Sequence, residues 1–156
     1  MSFASEISSF VDSSMRSVEH DRRAICTGIG DALIEKTPVG DPSLWKTPRL
    51  AEYARQHGYV GGHMKANWRT SVGTPNLEER TDHGKPWPGP IDPNGDTAKA
   101  EVRENLGEGD VTVCFANNVP YSEKINDGSW SSQAQQGIIP PVEADFENIV
   151  AKAVAK

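Results

Sequence analysis

The chain is short of the features by which most functions announce themselves. It has two cysteines in 156 residues, Cys26 and Cys114, far apart in sequence. They form neither a CxxC pair nor a disulfide framework, and they read as two reduced thiols. No apolar stretch approaches the roughly 20 residues that cross a bilayer, so no membrane partner is expected. The opening MSFASEISSFVDSS has no basic start and no apolar core of a signal peptide, and a product of the cytosol is expected. Basic charge is also scarce: 16 Lys and Arg stand against 22 Asp and Glu, a net charge of −6. A protein that grips nucleic acid by its phosphates is usually basic, whereas this one repels DNA over much of its surface.

Catalytic and metal motifs are missing in the same way. His57-Gly-Tyr-Val-Gly-Gly-His63 brings two histidines near each other, but the spacing fits no zinc motif, and no Cys or carboxylate stands beside them. His20 and His83 are isolated. Gly28-Ile29-Gly30 and Gly61-Gly62 follow no strand and carry no phosphate-loop lysine. There is no GxSxG, and no pair of carboxylates at a spacing that suits acid–base work. The expectation is a protein that is not an enzyme, with no cofactor and no metal.

What is present points to a small core with long arms. The 14 Gly and 11 Pro amount to about 16% of the chain, against an average near 12%. Residues 3–36 read as one long helix, with Phe3, Ile7, Phe10, Val11, Met15, Val18, Ile25, Ile29 and Leu33 at helical spacing. Arg22 interrupts this stripe, Gly28 and Gly30 weaken it or admit a close neighbour, and Thr37-Pro38 ends it. Residues 37–66 form a Gly/Pro-rich arm in which Pro48–His57 can make a short helix, and Trp45, Leu50, Tyr53 and Tyr59 give it something to bury. The bases Lys46, Arg49, Arg55, Lys65 and Arg69 face only Glu52 in their stretch. That is either a solvated loop or a basic arm for an acidic neighbour. Asn67–Val72 alternates as a half-buried strand, with Trp68, Thr70 and Val72 on one face. Residues 73–95 hold 9 Gly or Pro in 23 positions and read as a second extended loop. Asp96 can cap a helix over Thr97–Leu106 that stops at Gly107. Asp110–Ala116 is the clearest strand, Tyr121–Asp127 a turn or two of helix, and Val142–Ala155 a last helix carrying Phe146, Ile149, Val150, Ala153 and Val154. The order predicts a single α+β domain over 1–156: a small antiparallel or mixed sheet flanked by the N-terminal and C-terminal helices.

Trp87, in Lys85-Pro86-Trp87-Pro88, and Trp130, in Gly128-Ser129-Trp130-Ser131, sit in loops without an apolar face. Each either packs on its own loop or anchors a partner. Three segments together resemble a known family. Thr37-Pro38-Val39-Gly40-Asp41-Pro42-Ser43-Leu44-Trp45 leads to Ala66-Asn67-Trp68; Asn117-Asn118-Val119-Pro120-Tyr121 follows a strand; Gly128-Ser129 and Ser132-Gln133-Ala134-Gln135-Gln136-Gly137-Ile138-Ile139 precede the closing helix. This order resembles the head–tail joining and tail-completion (neck, tail-terminator) proteins of tailed bacteriophages. The departures are Asn126-Asp127 in place of an acidic residue, Gln135-Gln136 in place of an Ala-Pro continuation, and Pro140-Pro141 interrupting the last strand of the pattern.

The resemblance implies a structural virion protein. It would form a ring, a hexamer, that completes the tail and joins it to the DNA-filled head. It would be made in the host cytoplasm and located at the head–tail junction. Its partners would be further copies of itself, the tail tube protein, and a head-completion, stopper or connector protein. DNA would pass through without specific binding, which suits a net-acidic conduit. The alternatives are a twelve-copy connector ring beneath the portal and a non-enzymatic monomeric binding module. The expected interface residues are Trp45, Trp87, Asn117, Asn118, Pro120, Tyr121, Gly128, Trp130, Gln133 and Gly137. On the residues alone, the asparagine-rich turn is either a well-made turn or a subunit contact. A further expectation is that the core ends near Ala116 and that the residues beyond it serve assembly more than folding.

Overall fold

The computed structural model describes residues 3–81 and 92–155. Among them are seven α-helices and two strands, an α+β arrangement as the sequence predicts. The long helix α1 runs unbroken from Phe3 to Lys36. Its end is built by Thr37, whose hydroxyl donates to the Leu33 carbonyl (2.7 Å) and accepts from the Trp68 indole (2.8 Å). The same threonine thus stops the helix and pins the start of the sheet.

The sheet is one antiparallel pair, β1 (Arg69–Val72) with β2 (Val113–Ala116), in the register Arg69 opposite Ala116 and Val72 opposite Val113. Both strands are shorter than their alternation suggests. On the first, Trp68 and Thr70 are buried, whereas Val72 is 43% exposed at the free end.

Helices α4 (Asp96–Glu104), α6 (Ile139–Ala144) and α7 (Phe146–Val154) pack on the C-terminal half of α1. The glycines of α1 mark the closest approaches. A Cβ on Gly30 would stand 2.8 Å from a Val102 methyl and 3.0 Å from the Phe115 ring, and one on Gly28 would stand 2.9 Å from an Ile149 methyl. Arg22 breaks the apolar stripe because it has polar partners. It pairs with Glu19 (2.7 Å) and donates to the carbonyls of Leu106 (3.1 Å) and Gly107 (2.8 Å) just past the end of α4. A cation there satisfies carbonyls that lack a helical partner.

Several expectations are corrected. Residues 37–66 hold the expected short helix, α2 (Pro48–Gln56), but are more ordered than a Gly/Pro-rich arm suggests: they also contain a 3-10 turn (Pro42–Leu44) and α3 (His63–Ala66). The closing helix is two helices with a joint at Asp145, and Pro140-Pro141 occupy the first turn of α6 rather than interrupt a strand. Proline's fixed φ and missing N–H are both harmless in a first helical turn. The core does not end at Ala116. Val119, Ile125, Ala134, Ile138, Val142 and Ile149 join Leu33, Ile34, Trp68, Val102 and Leu106 in one buried cluster.

The cap of α4 also differs. Asp92, not Asp96, receives the first amides, Asp96 N (3.0 Å) and Thr97 N (2.9 Å). Farther back, residues 76–80 are strapped to the body. The Asn67 amide oxygen accepts from Arg80 N (2.6 Å), the Arg80 guanidinium pairs with Glu101, and Glu101 also accepts from Arg69 (3.1 Å) and Thr70 N (2.8 Å). His63 Nε2 meets Glu79 at 2.8 Å beside Asn67.

This packing can be tested in two places. Gly30→Ala should lower stability by about 1–3 kcal/mol despite the better helix former, because the added methyl overpacks the seam. In the double variant with Val102→Ala the added methyl should cost less, since only the Phe115 contact remains, as read by urea denaturation; equal losses in both backgrounds would show that Val102 is not what the methyl strikes. For Asp92, burial raises the carboxyl pKa, but the amides of Thr97, Asp96 and Gly95 outweigh it and hold the pKa below the ordinary 3.8. A depressed folded-state pKa contributes stability above the unfolded value, and that stability is lost as the pH falls through the folded one. Asp92→Asn removes the charge and leaves one acceptor oxygen for two amides, so it should be less stable at neutral pH by about 1–2 kcal/mol. The gap to the native chain should narrow as the pH drops below 3.8; a gap independent of pH would remove the charge from the explanation.

Candidate interaction groove

Two segments that are far apart in sequence face each other across a groove of about 770 Å³. One wall comes from Pro38–Leu50, the other from Tyr121–Gln135, and Tyr59, Met64 and Ile125 lie between them. Local chemistry sets each wall. Asp41 accepts from Ser43 N (2.8 Å) and closes the 3-10 turn over Pro42–Leu44. The turn leaves Leu44 60% exposed on the rim and aims Trp45 inward. The Trp45 indole N–H donates to the Gly40 carbonyl (3.1 Å), and its ring lies 5.8 Å from Tyr59.

The opposite wall is set by α5 (Ser122–Asn126) and by two glycines. Gly128 and Gly137 both have φ of +76°, and a Cβ on either would strike a backbone carbonyl, Gln135 for the first and Asn126 for the second. Side chains rarely adopt this φ, so glycine is required twice over. Asn126 completes the crossing: its side-chain oxygen accepts from the amides of Ile138 (3.1 Å) and Ile139 (2.9 Å). The loop so held presents Trp130, 58% exposed, stacked on Tyr121 at 6.4 Å with the Lys124 ammonium 4.9 Å from its ring. Burial, reinforced by nearby Tyr59 and Glu79, pushes the Tyr121 hydroxyl well above its ordinary pKa, and burial raises Tyr59 too. Both phenols are therefore neutral, and the groove is an aromatic, apolar trough with Lys46 and Lys124 at its edge. Such a surface suits apolar side chains with a polar rim.

Of the ten interface residues expected from sequence, five line this groove together: Trp45, Tyr121, Gly128, Trp130 and Gln133. Trp87 lies outside the described residues. Asn117 and Asn118 hold the fold instead, donating to the carbonyls of Met64 (2.8 Å) and Leu77 (3.0 Å). Pro120 is exposed away from the groove lining, and Gly137 is buried at the Asn126 crossing. Leu44, Lys46 and Leu50 are absent from the expected set, yet they line the groove. The capped Asp-Pro-Ser turn lifts Leu44 outward, while Lys46 carries only the signal of a basic arm, and Leu50, expected to be buried, is 44% exposed.

The two histidines considered as metal ligands stand apart in role: His57 packs its ring 4.0 Å from Tyr53, and His63 is buried against Glu79. Among the described residues, no group of three or more His, Cys, Asp or Glu could hold a metal ion. No described helix is long and apolar enough to cross a membrane. No family model, curated protein or solved structure matches the chain.

The two kinds of groove residue should separate by mutation. Gly137→Ala should cost at least about 2 kcal/mol, because it forces a side chain into a left-handed backbone against a carbonyl. Gln133→Ala, on the exposed lip, should change stability by no more than about 0.5 kcal/mol. Urea unfolding of both variants checks this; equal effects would mean that the crossing at Asn126 does not hold the loop.

Proposed function

We propose that this chain is a structural subunit of the neck of a tailed bacteriophage, a ring-forming protein that completes the tail and joins it to the filled head. One observation carries the reading. Parts of the segments that resemble the tail-completion proteins, Pro38–Trp45 on one side and Tyr121, Gly128, Ser129, Ser132, Gln133 and Gln135 on the other, line one exposed aromatic groove. Their sequence separation gives no local reason for them to meet. A rim of serine and glutamine with an exposed tryptophan suits a contact between protein subunits. The net charge of −6 suits a conduit through which DNA passes without sticking. The role is mechanical: it needs surfaces that fit neighbours, and it needs no reacting group.

In an infection that lacks this protein, electron microscopy should find filled heads and separate tails. In an infection that supplies Trp130→Ala, the chain should fold normally, within about 0.5 kcal/mol of the native stability, while joined particles fall sharply in number. Normal yields of joined virions without the protein would overturn the reading. Unfolding of the isolated Trp130→Ala chain would make Trp130 a core residue and remove it from the interface.

A further inference from the structure

The body of the protein covers only half of α1. Toward its C-terminal half the helix is tied to the rest of the chain by Glu19, which accepts from Gly109 N (3.3 Å), and by Arg22. Before that, Phe3 is 77% exposed, Ile7 48%, Phe10 73%, Val11 45%, Met15 67% and Val18 69%. These residues fall on one side of the helix, and the same stripe continues into Ile25, Ile29 and Leu33, where α6, α7 and the core cover it. The bare part, residues 3–18, is about 24 Å long. Weighted by exposure, its six apolar residues offer on the order of 800 Å², the share each partner brings to a standard interface. The segment is also rich in serine, a middling helix former, and a projecting helix of this length owes its stability to packing on its apolar face.

The groove lies at the other end of the same helix, its first wall beginning at Pro38 and Val39, directly after α1. Phe10 stands about 40 Å along the helix from that end. One copy therefore cannot place its own bare helix in its own groove. The two surfaces match in kind. Phe3, Ile7 and Phe10 stand at i, i+4 and i+7, the spacing with which an amphipathic helix sets anchors into an apolar groove. Glu6 and Asp12 lie in the bare segment, and Lys46 and Lys124 stand at the groove, whose lining also carries Asp41.

We propose that the bare half of α1 docks in the Trp45–Tyr121–Trp130 groove of a second copy of this chain, head to tail. The contact pairs two different surfaces, so every copy keeps one of each free and the chain of copies closes into a ring or extends. The inference rests on the reading of this protein as a ring subunit, and it adds which two surfaces make the joint.

The test uses the full chain and two exposed substitutions, Phe10→Ser in the helix and Trp130→Ala in the groove. Sedimentation equilibrium should show concentration-dependent self-association of the native chain. Each variant alone should weaken it by at least about thirtyfold, with the circular dichroism and melting of the monomer unchanged. Mixed together, the variants should form a single type of heterodimer and nothing larger, because Phe10→Ser supplies only a sound groove and Trp130→Ala only a sound helix. Self-association of Trp130→Ala at native strength would mean that bare helices pair with each other, and would overturn the proposal. So would a native chain that stays monomeric at millimolar concentration. A chain that joins heads to tails but fails these tests leaves the neck role standing and removes only the joint; the reverse result keeps the joint and removes the role.

Discussion

Everything in this structure hangs on how much of α1 the rest of the chain covers. A helix of 34 residues is about 50 Å long. The remaining chain buries the C-terminal half by bringing α4 and α7 against Gly30 and Gly28. Those glycines cost helix propensity, and the close approach of Val102, Phe115 and Ile149 offsets it with dispersion and buried area. The polar cost of the same seam is met by Arg22, which turns its guanidinium to the open carbonyls of Leu106 and Gly107. Apolar residues on both sides of Glu19 follow one helical stripe, but those before it are exposed, while Ile29 and Leu33 after it pack in the core.

The groove depends on this seam at one remove. Thr37 receives the Trp68 indole, so the end of α1 fixes the start of β1. The strand pair then places Asn117, whose amide reaches the Met64 carbonyl under the groove. The left-handed turns at Gly128 and Gly137, locked by Asn126, return the chain so that Trp130 meets Tyr121. Each link is a hydrogen bond or a close backbone approach. The groove's geometry thus comes from satisfied polar groups and close backbone approaches, and it leaves Trp130 open at the surface.

The parts legible in sequence are those with periodicity. The extent of α1 is readable because nine apolar positions repeat at helical spacing and Thr37-Pro38 stops them. The strand pair is readable from alternation, but its length is overestimated, because alternation says nothing of where a partner strand ends. In residues 37–66 α2 is readable from its leading proline to within a residue of its end, whereas α3 is hidden, since four residues are too few for a period. Asp92 is invisible as a cap because it precedes the helix by four positions and acts across a turn that ends at Gly95. The core role of Val119, Ile125 and Ile138 escapes a sequence reading because single apolar residues among Asn, Gln and Ser carry no pattern; only the tertiary crossing at Asn126 gathers them.

Four of the expected interface residues, Asn117, Asn118, Pro120 and Gly137, support the groove or stand apart from it, and turn chemistry is the cause. Asn, Gly and Pro in a dense polar stretch mark a chain that turns tightly, and a tight turn can be wanted for itself or for what it displays. Asn117 and Gly137 belong to the first case, since their partners are the Met64 and Asn126 backbones. Trp130 belongs to the second. Its neighbours Tyr121 and Lys124 cover one part of the ring and leave 58% of the residue open. A large aromatic held stiffly and left open contributes little to its own fold, and it has lost in advance much of the side-chain entropy that docking would otherwise cost. The bare stripe on α1 has the opposite character: its helix is long, unsupported and rich in serine, so its ordering is completed by whatever covers it. A rigid receptor and a helix ordered by docking are complementary in energy as well as in shape, and here they stand at opposite ends of one chain.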